Sequence, residues 1–126
     1  MTYTLSPEEL RSVEKLPAEQ RYQYLISQVA KYGQVWSLYS PSGWAVVSSE
    51  GDECFPIWPH PDFAALWATG DWSDCTPKSI DLKTWTSRWL PGMEEDGTLL
   101  AVFPSSDEEG VVISPAEMAA ELRDAG

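Results

Sequence analysis

The chain reads as a single α+β domain, with about five strands in a mostly antiparallel or mixed sheet and helices packed on it. Three observations predict this. Apolar residues recur at helical spacing before residue 33. Short runs of β-branched and aromatic residues, separated by turn residues, take over after it. The pattern Ser-Pro-x-Glu, which caps and opens helices, occurs near both ends of the chain. No repeat, linker or low-complexity segment interrupts these patterns. Residues 1–126 therefore form one unit, with a helical segment at 1–33 and a sheet-and-helix body at 34–126.

The elements follow in order. Ser6-Pro7-Glu8-Glu9 starts a short helix, with Ser6 as cap and Glu9 completing a capping box. Leu16-Pro17 restarts the chain into a second helix over 17–32. Its stripe is Ala18, Tyr22, Leu25, Val29 and Tyr32, and Gly33 ends it. Val35–Tyr39 and Trp44–Ser48 form a hairpin through Ser40-Pro41-Ser42-Gly43. Cys54–Trp58 is the third strand. Pro56 removes a ladder donor from it, which predicts an edge position or a bulge.

Pro59-His60-Pro61 is a rigid corner into a helix of about ten residues that buries Phe63, Leu66 and Trp67. Residues 71–78 read as a loop. Asp81 caps a further helix carrying Leu82, Trp85 and Trp89, which Pro91-Gly92 breaks, and 93–97 reads as a turn. Thr98–Phe103 is a continuous apolar run, the pattern of a strand covered on both faces. Val111–Ile113 returns as a strand. Ser114-Pro115-Ala116-Glu117 opens the C-terminal helix, docked by Met118, Ala119 and Leu122.

Composition limits the function. There are 20 acidic and 8 basic residues, a net charge of −12. Nucleic acid and anionic membrane need a positive face to displace counterions, so neither is an expected partner. The acidity is uneven: net −3 over residues 1–53 and −9 over 54–126. An electrostatic recognition surface is expected in the second part, facing a basic protein partner. The N-terminus lacks a basic region followed by an apolar stretch, and no apolar run reaches the roughly 18 residues of a membrane span. A cytoplasmic location is expected. Seven tryptophans exceed what so small a domain fully buries, and exposed tryptophan is typical of binding surfaces.

Cys54 and Cys75 form no Cys-x-x-Cys pair, and His60 is the only histidine, so no zinc site is expected. Cys54 and His60 lie six residues apart along an extended run, on the order of 20 Å, beyond the reach of a nucleophile and its base. His60 and Asp62 flank Pro61 at a helix entry, where polar residues cap and acidic ones suit the helix dipole. Glu94-Glu95-Asp96 and Asp107-Glu108-Glu109 bracket one strand, so its length separates them and they do not form one metal or acid–base site. No phosphate loop, nucleophile elbow or zinc-protease motif occurs.

Four motifs occur together in order: Phe55-Pro56-Ile57-Trp58-Pro59-His60-Pro61-Asp62-Phe63-Ala64, Trp89-Leu90-Pro91-Gly92-Met93-Glu94-Glu95-Asp96-Gly97, Ala101-Val102-Phe103-Pro104 and Val112-Ile113-Ser114-Pro115. The last two-thirds of the chain that they span resembles a bacterial family known as domain of unknown function 2750. Met93 stands where that pattern leads one to expect leucine, and the 105–110 loop is more acidic than expected. The resemblance implies a small bacterial cytoplasmic protein and no particular activity.

These readings combine into a non-catalytic acidic protein that binds a protein partner, in the manner of an immunity or adaptor protein. The expected binding residues are Trp58, His60, Asp62, Trp72, Glu94, Glu95 and Asp96, with no catalytic residue, metal or cofactor. The alternative is a small-molecule-binding protein or enzyme with a pocket at the Trp58-Pro59-His60 corner. Monomer and edge-strand homodimer are both compatible with the sequence.

Overall fold

The computed structural model describes residues 4–49, 51–105 and 110–125. Two helices come first, α1 (Pro7–Glu14) and α2 (Ala18–Tyr32). Ser6 caps α1 by accepting the Glu9 amide proton at 3.1 Å, as its capping box predicts. Gly33 closes α2 in the left-handed conformation, φ 73°. The buried face of α2 is Arg21, Leu25, Ile26 and Val29. The expected stripe is therefore rotated: Arg21 goes inside and Tyr22 is half-buried.

Among the described residues seven strands form two sheets, where the sequence leads one to expect about five strands in one. Strands β1 (Gln34–Ser40), β2 (Gly43–Trp44) and β5 (Thr76–Asp81) make an antiparallel sheet in the order β2-β1-β5. Strands β3 (Val47–Ser49), β4 (Asp52–Ile57), β6 (Leu99–Val102) and β7 (Val111–Ile113) make a mixed sheet in the order β3-β4-β6-β7, with β4 and β6 parallel. Two differences account for the extra strands. The expected strand at 44–48 breaks after Trp44, and its second half crosses to the other sheet as β3. The expected loop at 71–78 contains the start of β5. With Pro77, Lys78 and alternating exposure, β5 carries the sequence of an edge strand and lacks an apolar run.

The Pro56 strand is interior, not an edge: β4 lies between β3 and β6. The proline fits because its neighbour changes there. Strand β3 pairs only with Asp52, Glu53 and Cys54. Past Pro56, Trp36 of β1 takes over and exchanges two backbone hydrogen bonds of 2.8 Å with Trp58. On this side the Pro56 carbonyl accepts from the buried Ser37 hydroxyl at 2.6 Å. The position of the missing N–H thus falls at the gap between β3 and β1, where no ladder bond is required.

Helix α3 (Pro61–Trp67) packs on β1 and β5. Helical structure then runs from Leu82 to Asp96 as α4 (Leu82–Thr84), a π-helical turn (Trp85–Trp89) and α5 (Leu90–Asp96). Pro91-Gly92 does not break it, contrary to expectation. In the π-turn the Leu90 amide bonds to the Trp85 carbonyl, five residues back. This resets the ladder, so Pro91 sits in the first turn of α5, where its missing N–H costs nothing. The acidic residues 94–96 end this helix, and Gly97 caps it at φ 77°.

Helix α6 (Pro115–Ala125) packs on α2 and α5 and buries Met118 and Leu122. The core joins α2, both sheets and the π-turn, with Trp58, Trp85, Phe63 and Phe103 among its largest members. Among the described residues no helix is long and apolar enough to cross a membrane.

Candidate functional site

The corner after β4 is built by three local rules. Pro61 occupies the first turn of α3. His60 is its N-cap: Nδ1 accepts the Asp62 amide proton at 3.0 Å, which requires that nitrogen to be unprotonated. The Asp62 carboxylate lies 3.7 Å from the same nitrogen and is about half exposed. Trp58 is fixed twice, through its backbone to Trp36 and through its indole, which donates to the Pro104 carbonyl at 2.9 Å.

Trp58, Pro59 and His60 are all buried. Two other tryptophans carry the corner out to the surface. The Trp67 ring lies 5.5 Å from Trp58, and Trp72 lies 5.5 Å from Trp67. Trp58 is wholly buried; Trp67 and Trp72 are half-buried. Leu66, next to Trp67 on α3, is 41% exposed. Asp62 and Asp74 are exposed before and after this patch.

The sequence-predicted residues therefore separate into three groups. Trp58 and Trp72 belong to one indole ladder, joined by Trp67. His60 and Asp62 meet at the helix cap. Glu94, Glu95 and Asp96 are exposed on the last turn of α5, and Glu94 is engaged there: its carboxylate accepts the Ala116 amide proton at 3.2 Å and caps α6. Asp107, Glu108 and Glu109 lie outside the described residues.

Leu66 and Trp67 are what sequence reasoning missed. Helical spacing puts both on the face of Phe63. However, α3 is only seven residues long, and Ala64 takes the second buried place beside Phe63. The signal available was the short span from Pro61 to Gly70, which leaves a helix too short for a full stripe.

A second aromatic cluster lies beyond β1. Trp44 meets Tyr39, Phe55 and Trp89 at 5.0, 5.7 and 5.1 Å. The Lys78 ammonium lies 4.4 Å from the Tyr39 ring centre and 5.7 Å from that of Trp44, a cation–π arrangement. Cys54 and Cys75 are both buried. Burial, and secondarily the Asp74 carboxylate, push the Cys75 thiol above its usual range, so it is not an activated nucleophile. Among the described residues no three His, Cys, Asp or Glu side chains group as a metal-binding set.

The fold and this surface define a small, acidic α+β protein with an aromatic patch at a rigid strand-to-helix corner. A family model described as protein of unknown function, DUF2750, matches residues 22–122. The chain belongs to that family. Comparison with curated proteins and with solved structures gives no match.

Proposed function

We propose that the protein binds a basic protein partner, without chemistry of its own, through the face formed by Leu66, Trp67 and Trp72. One observation carries this reading: a run of three indoles in which the wholly buried Trp58 meets the half-buried Trp67, which in turn meets the half-buried Trp72, with the exposed Leu66 next to Trp67 on α3. Tryptophan in a rigid, partly desolvated setting is the commonest interface anchor. Here the rigidity is built in, because Trp58 is held through both backbone and indole, so little ordering remains to be done on binding.

Asp62 and Asp74 border the patch, and the net charge of −9 over residues 54–126 favours a positively charged partner and its fast approach. A bacterial cytoplasmic protein acting as an immunity or adaptor protein fits this description.

The test is affinity capture from the source cell with the wild-type chain and with Leu66→Glu, at low and high salt. A stoichiometric partner held by the wild type at low salt, and lost at high salt and with Leu66→Glu, is expected. A partner held equally by Leu66→Glu, or no partner at low salt, would overturn the reading.

A further inference from the structure

A cavity of about 240 Å³ opens between the β1–β2 hairpin and the turn that follows Trp72. Its walls include Ser40, Ser42, Trp44, Trp72, Asp74 and Cys75. The Ser40 hydroxyl and the Cys75 thiol are already engaged. The Ser40 hydroxyl donates to the Gly43 carbonyl at 3.3 Å and accepts the Ser42 amide proton at 3.2 Å. The neutral Cys75 thiol lies 3.9 Å from the Asp74 carboxylate. What the cavity offers a ligand is two indoles, the Asp74 carboxylate and the Ser42 hydroxyl.

That set suits an organic cation, because a ring face and a carboxylate both attract positive charge and an anion would meet Asp74. The structure contains a precedent nearby: the Lys78 ammonium lies over the Tyr39 ring at 4.4 Å and 5.7 Å from the centre of the Trp44 ring. Size agrees as well. At about 30 Å³ per liquid water the space equals roughly eight waters, enough for a chain of four methylenes and an ammonium. Trp72 belongs both to this cavity and to the indole ladder, so the two surfaces are continuous.

We propose that the cavity receives a lysine side chain of the basic partner, its ammonium taken up by Trp44, Trp72 and the Asp74 carboxylate. This rests on the partner-binding reading above and names the partner's anchoring group.

The experiment is a titration of the full chain with butylammonium chloride, followed by the indole N–H resonances, with butanol and sodium butyrate as controls at matched ionic strength. The Trp44 and Trp72 indole signals are expected to move and saturate with butylammonium alone. Asp74→Asn, an exposed change compatible with the fold, is expected to weaken the response about threefold to fivefold. Equal shifts with butanol, no shift, or an unchanged response in Asp74→Asn would overturn the proposal. A Leu66-dependent partner without an ammonium response removes the lysine cavity alone. An ammonium response without such a partner overturns the partner reading and with it the lysine donor, and leaves a site for a small organic cation.

Discussion

The Nε of Arg21 donates to the carbonyl of Phe103 over 3.0 Å and so ties α2 to a residue 82 positions away. A second guanidinium nitrogen donates to the Leu16 carbonyl at 2.6 Å. Arg21 is fully buried, with its guanidinium carbon 5.9 Å from the centre of the Phe103 ring. Phe103 itself has φ 52°, a conformation that non-glycine residues rarely hold unless their surroundings impose it. The arginine fork, together with the bond from the Phe103 amide to the Ile57 carbonyl, imposes it.

Replacing this fork is therefore costly. Arg21→Leu leaves the buried Phe103 carbonyl and the partly buried Leu16 carbonyl without these donors, and each charge-assisted bond is worth about 1.5–3 kcal/mol. A loss of about 3–5 kcal/mol in urea unfolding is expected. Arg21→Lys is expected to recover little of it, since an ammonium lacks the planar fork that reaches both carbonyls. A loss under about 1 kcal/mol in Arg21→Leu would contradict this assignment.

Gly110 presses against the same region. A Cβ placed there would overlap the Val102 carbonyl and meet the Pro104 nitrogen at 2.9 Å, both backbone groups that cannot swing aside. Gly110→Ala is expected to lower stability by about 2 kcal/mol or more. Gly92→Ala serves as a control, because its Cβ would meet nothing within 4 Å. Thermal melts of the two variants should differ clearly.

Two tryptophans make opposite use of their indole N–H. That of Trp58 donates to Pro104, whereas that of Trp85 is buried and finds no hydrogen-bond partner among the described residues. Both rings are wholly buried, so replacement by phenylalanine removes similar volume. Trp58→Phe is expected to cost at least about 1 kcal/mol more than Trp85→Phe, because only the first orphans an acceptor. Denaturant midpoints at a common slope decide this.

Stability should fall at both ends of the pH scale for identifiable reasons. Bonds from the Thr84 hydroxyl and amide hold the Asp81 carboxyl below its usual range. A depressed carboxyl stabilises above its unfolded value, near 3.8, and that contribution disappears as pH falls through the lower folded value. Asp81→Asn should flatten this acid limb. Burial, then Glu121 and Glu117, push the Tyr22 hydroxyl up from 10.0 to about 12. Between those values the unfolded chain releases a proton that the folded chain retains, so stability falls as pH rises. Tyr22→Phe should remove that part of the alkaline loss, as read by denaturant unfolding at pH 9 and 11.

Much of this architecture was legible because its signals are local. Caps at Ser6, Asp81 and Ser114 all hold their predicted amides. The Pro41-Ser42 hairpin turn pairs Ser40 with Gly43 as its residues suggest. What stayed hidden depends on partners distant in sequence. Pro56 reads as an edge signal unless it is known that β3 hands over to β1 there. Arg21 reads as a surface residue unless Phe103 is known to face it. Leu66 reads as core because helical spacing does not show how few turns α3 has. At the candidate site, Trp58, Trp72, His60 and Asp62 were visible as residues, but the ladder depends on Trp67, whose contacts come from packing.

The hand-over at Pro56 also bears on how the molecule comes apart. The reciprocal Trp36–Trp58 bonds are a seam where one sheet continues into the other. Sliding either strand along β4 would move the proline out of its gap and break ladder bonds on both sides. Neither sheet can then open as a separate unit. The amide protons of Trp36 and Trp58 should exchange with solvent only through global unfolding, at the same slow rate. The proline that looked like a flaw in a strand becomes the point that makes two sheets one cooperative body.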